Sequence, residues 1–178
     1  VRRSLEIQPE GHLGLGDYYV RMIDWLADRK NDPPLADREG EPNKKRVVPP
    51  ATNFLGIAYS AGPRATATNG LANREFLETL VKADRSFADA LFVLGDLLNQ
   101  TGDKELACRA YYRARLLGHP AETALRNRLR GIHDDWEAEA NQREGYIVLP
   151  AHEIQGQIEN EAQLAADWVG RYETTEGE

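Results

Sequence analysis

Four histidines, His12, His119, His133 and His152, are the residues to weigh first for metal or acid–base chemistry. None belongs to a His-x3-His or Cys/His array of the kind that closes a metal shell. His133 and Glu137 stand one helical turn apart, a spacing that suits a solvated surface pair. Cys108 is the one cysteine, so no internal disulfide forms. Its neighbour Arg109 points in another direction on a helix, and Cys108 reads as a small apolar residue in packing. Gly11-His-Leu-Gly14-Leu-Gly16 lacks the spacing of a phosphate loop and has no strand before it. No Gly-x-Ser-x-Gly elbow occurs. Asp134-Asp135 lies in charged helical surroundings, where a solvated face is expected. Arg126 and Arg130 share a helix face, with Arg113, Arg115 and Arg128 near in sequence. They form a basic patch for phosphate or an acidic partner, or else salt bridges to nearby Glu and Asp; salt bridging is the expectation. Lys44-Lys45-Arg46 is too short a basic run for nucleic acid. The sequence therefore assigns no catalytic residue, no metal ligand and no cofactor.

Composition narrows the classes further. The chain has 178 residues, 41% hydrophobic and 29% charged, with a formal net charge of −7. That is long enough for one domain, 1–178, with its own core. An acidic chain argues against general nucleic-acid binding. No stretch approaches the roughly 20 apolar residues of a membrane-spanning helix. The chain opens at Val1, with neither Met nor a signal-peptide pattern, so we expect a segment of a longer protein. With one cysteine the redox compartment stays open, and localisation with it.

Helices must position these side chains, and the clearest lie at 88–120. Leu91, Leu94 and Leu98 recur at three and four residues and make one apolar stripe. Gly95 interrupts that helix at a cost of up to about 1 kcal/mol relative to Ala. Such a glycine makes sense where another helix crosses closely. Gly102 stops the helix and Asp103 is placed to cap the next. Ala107, Tyr111 and Ala114 give the second helix a small–large–small stripe, with Tyr111 filling the gap beside the small residues. Gly118 ends it, and Pro120 suits the first turn of a third helix.

An upstream copy is expected. Leu55-Gly56-x2-Tyr59 matches Leu94-Gly95-x2-Leu98, and Ala72-x3-Phe76-x2-Thr79 matches Ala107-x3-Tyr111-x2-Ala114. The two offsets differ by four residues (56 to 95, 72 to 107), which places a widened loop at 61–70 between the two helices. A third trace is Leu15-Gly16-x2-Tyr19, after Leu5-Glu-Ile-Gln-Pro9. It predicts a helix from about Asp17 to Ala27 with Tyr19, Met22, Ile23 and Leu26 on one face. The Pro and Gly of 28–50 then oppose a helix, and that stretch reads as an irregular loop. Downstream, Leu125, Leu129, Ile132, Trp136 and Ala140 predict a long helix over 121–143. Gly145 to Pro150 reads as a connector. A last helix over 151–172 carries Ile154, Ile158, Ala165, Trp168, Val169 and Tyr172. Residues 173–178 read as a disordered acidic tail. Trp25, Trp136 and Trp168 each fall on an apolar stripe and read as packing residues.

The Leu-x2-Leu-Gly-x2-Leu, Gly-Asp, Ala-x3-Tyr-x2-Ala and Pro spacing resembles one unit of the tetratricopeptide repeat. The resemblance is good over 50–120, partial over 1–27 and lost after about 143. It implies an all-α fold: a short right-handed α-α superhelix of helical hairpins, with a long irregular loop and C-terminal capping helices (121–172). It also implies a non-catalytic scaffold that binds a peptide or partner segment on its concave face. Counted from the signature glycines, the groove positions are Asn53, Ile57 and Ser60 around Gly56. Around Gly95 they are Asp89, Phe92, Asp96, Asn99 and Gln100. Asn53 suits the carboxylate clamp some members use and Asp96 opposes it, so a partner with basic or polar side chains is expected. The alternatives are a structural role, with the apolar ends of the array pairing with a second copy, and a regulatory domain of a larger enzyme or membrane-anchored protein.

Overall fold

A computed structural model describes residues 16–28, 50–70, 72–142 and 151–176; side chains are described for these up to 138, and then for 153–164 and 167. The described residues form seven helices and no strand beyond an isolated bridge between Thr52 and Ala58. The helices are α1 (Gly16–Asp28), α2 (Pro63–Ala67), α3 (Arg74–Ala83), α4 (Ala88–Gln100), α5 (Lys104–Leu116), α6 (Glu122–Gln142) and α7 (Ala151–Glu176). The chain is all-α over these residues.

The α4–α5 hairpin is the centre, and its turn follows from backbone chemistry. Gly102 adopts φ +89°, where a Cβ would be strained. Its N–H donates to the carbonyl of Asn99, and the next N–H, of Asp103, donates to Leu98. This pair of bonds satisfies carbonyls that the helix end leaves free. Gly118, φ +74°, ends α5 in the same way, with bonds from Gly118 to Arg115 and from His119 to Ala114. The Asp103 side chain makes no capping hydrogen bond. It receives Arg74 Nη1 at 2.6 Å instead, tying the start of α3 to the α4–α5 turn. Pro120 lies two residues ahead of α6 rather than inside its first turn.

In α4 the expected single stripe is replaced by burial on every side, from Asp89 to Leu98 without a break. The reason is its central place, since α2, α3, α5 and α6 all pack on it. Against Gly95 lies the ring of Tyr111, and a Cβ there would stand 2.6 Å from Tyr111 Cε1. Ala107, Tyr111 and Ala114 of α5 are fully buried, as small–large–small packing requires. Cys108 is buried beside them, and burial pushes its thiol up to about 12.

Upstream, the helix expected at Leu55–Tyr59 is not formed. Asn53 Oδ1 accepts from the N–H groups of Leu55 and Ile57, both at 3.0 Å, and Gly56 adopts φ +78°. The side chain thus offers the backbone a turn in place of a helix. The predicted loop at 61–70 holds the short helix α2. The second half of the copy does fold as α3, capped by Asn73 through Glu75 and Phe76 N–H, but Leu77 and Leu80 supply its buried face. In α1 the inward residues are Tyr18, Tyr19, Met22 and Trp25, while Ile23 and Leu26 are 44% and 43% exposed. The indole of Trp25 donates to the Thr52 carbonyl at 3.1 Å and meets Phe87 edge-on. That polar anchor turns the helix from its expected face.

Both α6 and α7 lie against α5. From α6 come Leu125, Leu129 and Ile132, and from α7 Ile154 and Ile158. Arg109 of α5 reaches Gln157 and Glu161 of α7. Residues 173–176, read as tail, continue α7. The loop at 29–49, the trace before Gly16, the connector at 145–150 and the side chains of His152, Trp168, Val169 and Tyr172 lie outside the described residues.

Candidate functional site

Asp89, Phe92 and Asp96 recur at three and four residues and share one face of α4. The groove assignment put that face toward a partner. In the folded chain all three are 1% exposed. Asn53 is also buried, Ile57 and Asn99 are half-buried, and Ser60 and Gln100 are exposed. Two carboxylates in an interior are costly unless hydrogen-bonded. Here each collects three donors.

Asp89 takes the N–H of Phe54 at 2.6 Å, the hydroxyl of Tyr59 at 2.5 Å and Nε2 of His119 at 2.9 Å. The other imidazole nitrogen, Nδ1, accepts the N–H of Ala121 at 3.1 Å. The ring proton therefore sits on Nε2 and points at Asp89. Gly118 makes this geometry possible, because the left-handed turn brings His119 back over α4.

Asp96 takes the hydroxyl of Thr66 at 2.8 Å, the hydroxyl of Tyr111 at 2.6 Å and Nε of Arg128 at 2.8 Å. Arg128 also donates to the carbonyl of Ala61. Burial and the adjacent Asp96 carboxylate push the Tyr111 phenol well above its ordinary value. Between the carboxylates lies Phe92. Its ring stacks on His119 with centroids 4.9 Å apart, meets Tyr59 edge-on at 5.2 Å and has the Arg128 guanidinium 5.7 Å from its centroid.

The residue types are those of an acid–base relay, but the arrangement is closed. The side chains of His119 and Asp89 are fully buried, and both imidazole nitrogens have partners within the chain. What the layer does is fasten the 53–66 segment and α6 onto α4. Tyr59, Thr66, His119 and Arg128 were missed in sequence because their partners lie 30 or more residues away along the chain. The available signal was Asp89 and Asp96 themselves, two charges seven apart in the most apolar helix.

Above this layer the surface is concave. A trough of about 640 Å³ runs between the 50–60 segment and the N-terminal half of α6. Pro50, Tyr59, Pro120, Ala121 and Ala124 give it apolar area, Ser60, Thr123, Asn127 and Arg128 give it hydrogen-bonding groups, and Glu122 adds a carboxylate. Of the groove residues named from sequence, Ser60 lines it. Among the described residues no group of three or more His, Cys, Asp and Glu is placed to hold a metal ion. No described helix is long and apolar enough to cross a membrane. No model of a protein family matches this chain, and no curated protein or solved structure matches it either.

Proposed function

We propose that this chain is a non-catalytic interaction module, built on a tetratricopeptide-like hairpin, that takes a peptide or partner segment without a cofactor. The observation that supports this most is the trough over α4. It is lined by two separate parts of the chain, it mixes apolar and polar surface, and two of its lining residues, Tyr59 and Arg128, are hydrogen-bonded to Asp89 and Asp96 of α4. Preorganised concave surface of this kind favours binding because little ordering is left to be done. In this reading Asp89, Phe92 and Asp96 act from beneath, and the partner meets Ser60, Asn127 and Arg128. Selection from a displayed peptide library, followed by fluorescence polarisation, tests it. Ser60→Trp, which fills the trough, should weaken a selected peptide by about tenfold or more, one hot-spot contact. Arg85→Gln, on an exposed turn, should not. Equal binding by Ser60→Trp and wild type refutes the reading.

One observation supports the second reading, pairing of copies. Ile23 and Leu26 present adjacent apolar surface on the outer side of α1. Light scattering over a dilution series separates the two, since a stable monomer at about micromolar concentration rules out pairing of useful strength.

A further inference from the structure

A second hollow, of about 250 Å³, lies between α5 and α6 and shares Glu122 with the trough. Arg115 comes from α5, and Arg126, Arg130 and His133 come from one face of α6. Tyr112 and Leu129, both largely buried, form its apolar wall. The chain carries a net charge of −7, so three guanidiniums around one hollow reverse the sign locally. Glu122 and Asp134 also line it. Glu122 is held by Arg126 at 3.1 Å. Among the described residues neither Arg115 nor Arg130 pairs with a carboxylate. Arg115 lies close to Tyr112: burial pushes the Tyr112 phenol up, and the Arg115 charge draws it part of the way back.

We propose that this hollow binds a phosphomonoester dianion, with Arg115 and Arg130 as its two forks. A guanidinium matches phosphate oxygens two at a time. Two unpaired forks suit an anion with three acceptor oxygens and close to two charges, which a phosphomonoester has and a single carboxylate lacks, with Asp134 the lining carboxylate that works against it. The volume falls below the roughly 300–1,000 Å³ of sites that enclose a whole drug-sized ligand. It therefore holds a headgroup whose remainder lies outside. This proposal does not rest on the trough: Glu122 borders both sites, but neither Arg115 nor Arg130 lines the trough, and the anion is read directly.

The test is calorimetric titration of the full chain with inorganic phosphate, with a phosphoserine peptide and its unphosphorylated form, and with a hexose phosphate. Wild type should bind phosphate saturably. Arg115→Gln and Arg130→Gln should each weaken it about tenfold or more, the loss of one charge-assisted pair. Arg85→Gln should leave it unchanged, and circular dichroism should show the same helical signal throughout. If a Gln variant loses that signal, Arg→Lys at the same position carries the test, since it keeps the charge and removes the fork. A phosphopeptide tighter than phosphate by about tenfold, with its unphosphorylated form silent, assigns the phosphate to a modified partner; the same gain with the hexose phosphate assigns it to a metabolite. Wild type that binds none of the phosphorylated probes at about 10 mM overturns the proposal. So does unchanged affinity in both Gln variants.

Discussion

Replacing Gly95 by alanine inverts the usual effect of that change. In an ordinary helix interior, Gly→Ala stabilises by roughly 0.5–1 kcal/mol, because alanine loses less backbone freedom on folding. Here the new methyl would stand 2.6 Å from Cε1, 2.7 Å from Cδ1 and 3.1 Å from Cζ of Tyr111. The ring must retreat by about 1 Å to reach ordinary contact near 3.5–4.0 Å. It has nowhere to go: Tyr111 is fully buried, and its hydroxyl is held by Asp96 at 2.6 Å. Overpacking of this kind costs about 1–3 kcal/mol. A strained hydrogen bond to a carboxylate adds part of its roughly 1.5–3 kcal/mol. Set against the helix gain, the net loss should be about 2 kcal/mol. Urea unfolding followed by tryptophan fluorescence and far-UV circular dichroism measures it. The control is a double-mutant cycle with Tyr111→Leu, in which the same Gly95→Ala change should be neutral or stabilising. A Gly95→Ala single variant as stable as wild type, or equal effects in both backgrounds, would refute the assignment of Gly95 to close helix crossing.

Asp96→Ala should cost about 3–5 kcal/mol by leaving Arg128 buried without its carboxylate, and Arg128→Met should cost clearly less, since Asp96 keeps two hydroxyl donors; chemical denaturation of the two variants checks the order. Cys108 and Tyr111 both have raised values in the folded chain, so folding keeps their protons while the unfolded chain loses them. Their stabilising contribution is whole below the ordinary values, near 9 for the thiol and 10 for the phenol, and falls as pH rises above them. For the thiol the window runs from 9.0 to about 12, with a limiting slope of about 1.4 kcal/mol per pH unit. Urea midpoints should change little from these two groups between pH 7 and 9 and decline between pH 9 and 10, and Cys108→Ala should decline less steeply.

How much of this was legible depends on the range of the interactions. The α4–α5 hairpin could be read because its determinants are local: Gly102 and Gly118 fix the turns, and Ala107, Tyr111 and Ala114 meet Gly95 within one supersecondary unit. The stretch at 53–60 was misread because Leu-Gly-x2-Tyr is satisfied by a turn as well as by a helix. Asn53 three residues before Gly56 is turn chemistry, and it decides the case. Asp89 and Asp96 were placed on a partner-facing groove because their spacing from Gly95 matches the repeat's groove positions. Their burial depends on Tyr59, Thr66, His119 and Arg128, and no local pattern announces a partner 30 residues away. In the candidate site, Ser60 was legible as surface. The trough is not, because its lining joins residues as far apart along the chain as Pro50 and Asn127.

The two carboxylates of α4 have a consequence for alignment. An apolar helix packed on all sides is free, as far as leucines are concerned, to slide by a turn, since one leucine fits much as another does. Asp89 and Asp96 remove that freedom. They sit two turns apart, like two pins in a plug, and their six partners come from the 53–66 segment, from α5, from the turn before α6 and from α6 itself. A slip of one turn, about 5.4 Å, would part both carboxylates from all six at once and strand the donors in apolar surroundings. Hydrophobic burial makes α4 the core; the aspartates define which of its nearly equivalent placements is the native one.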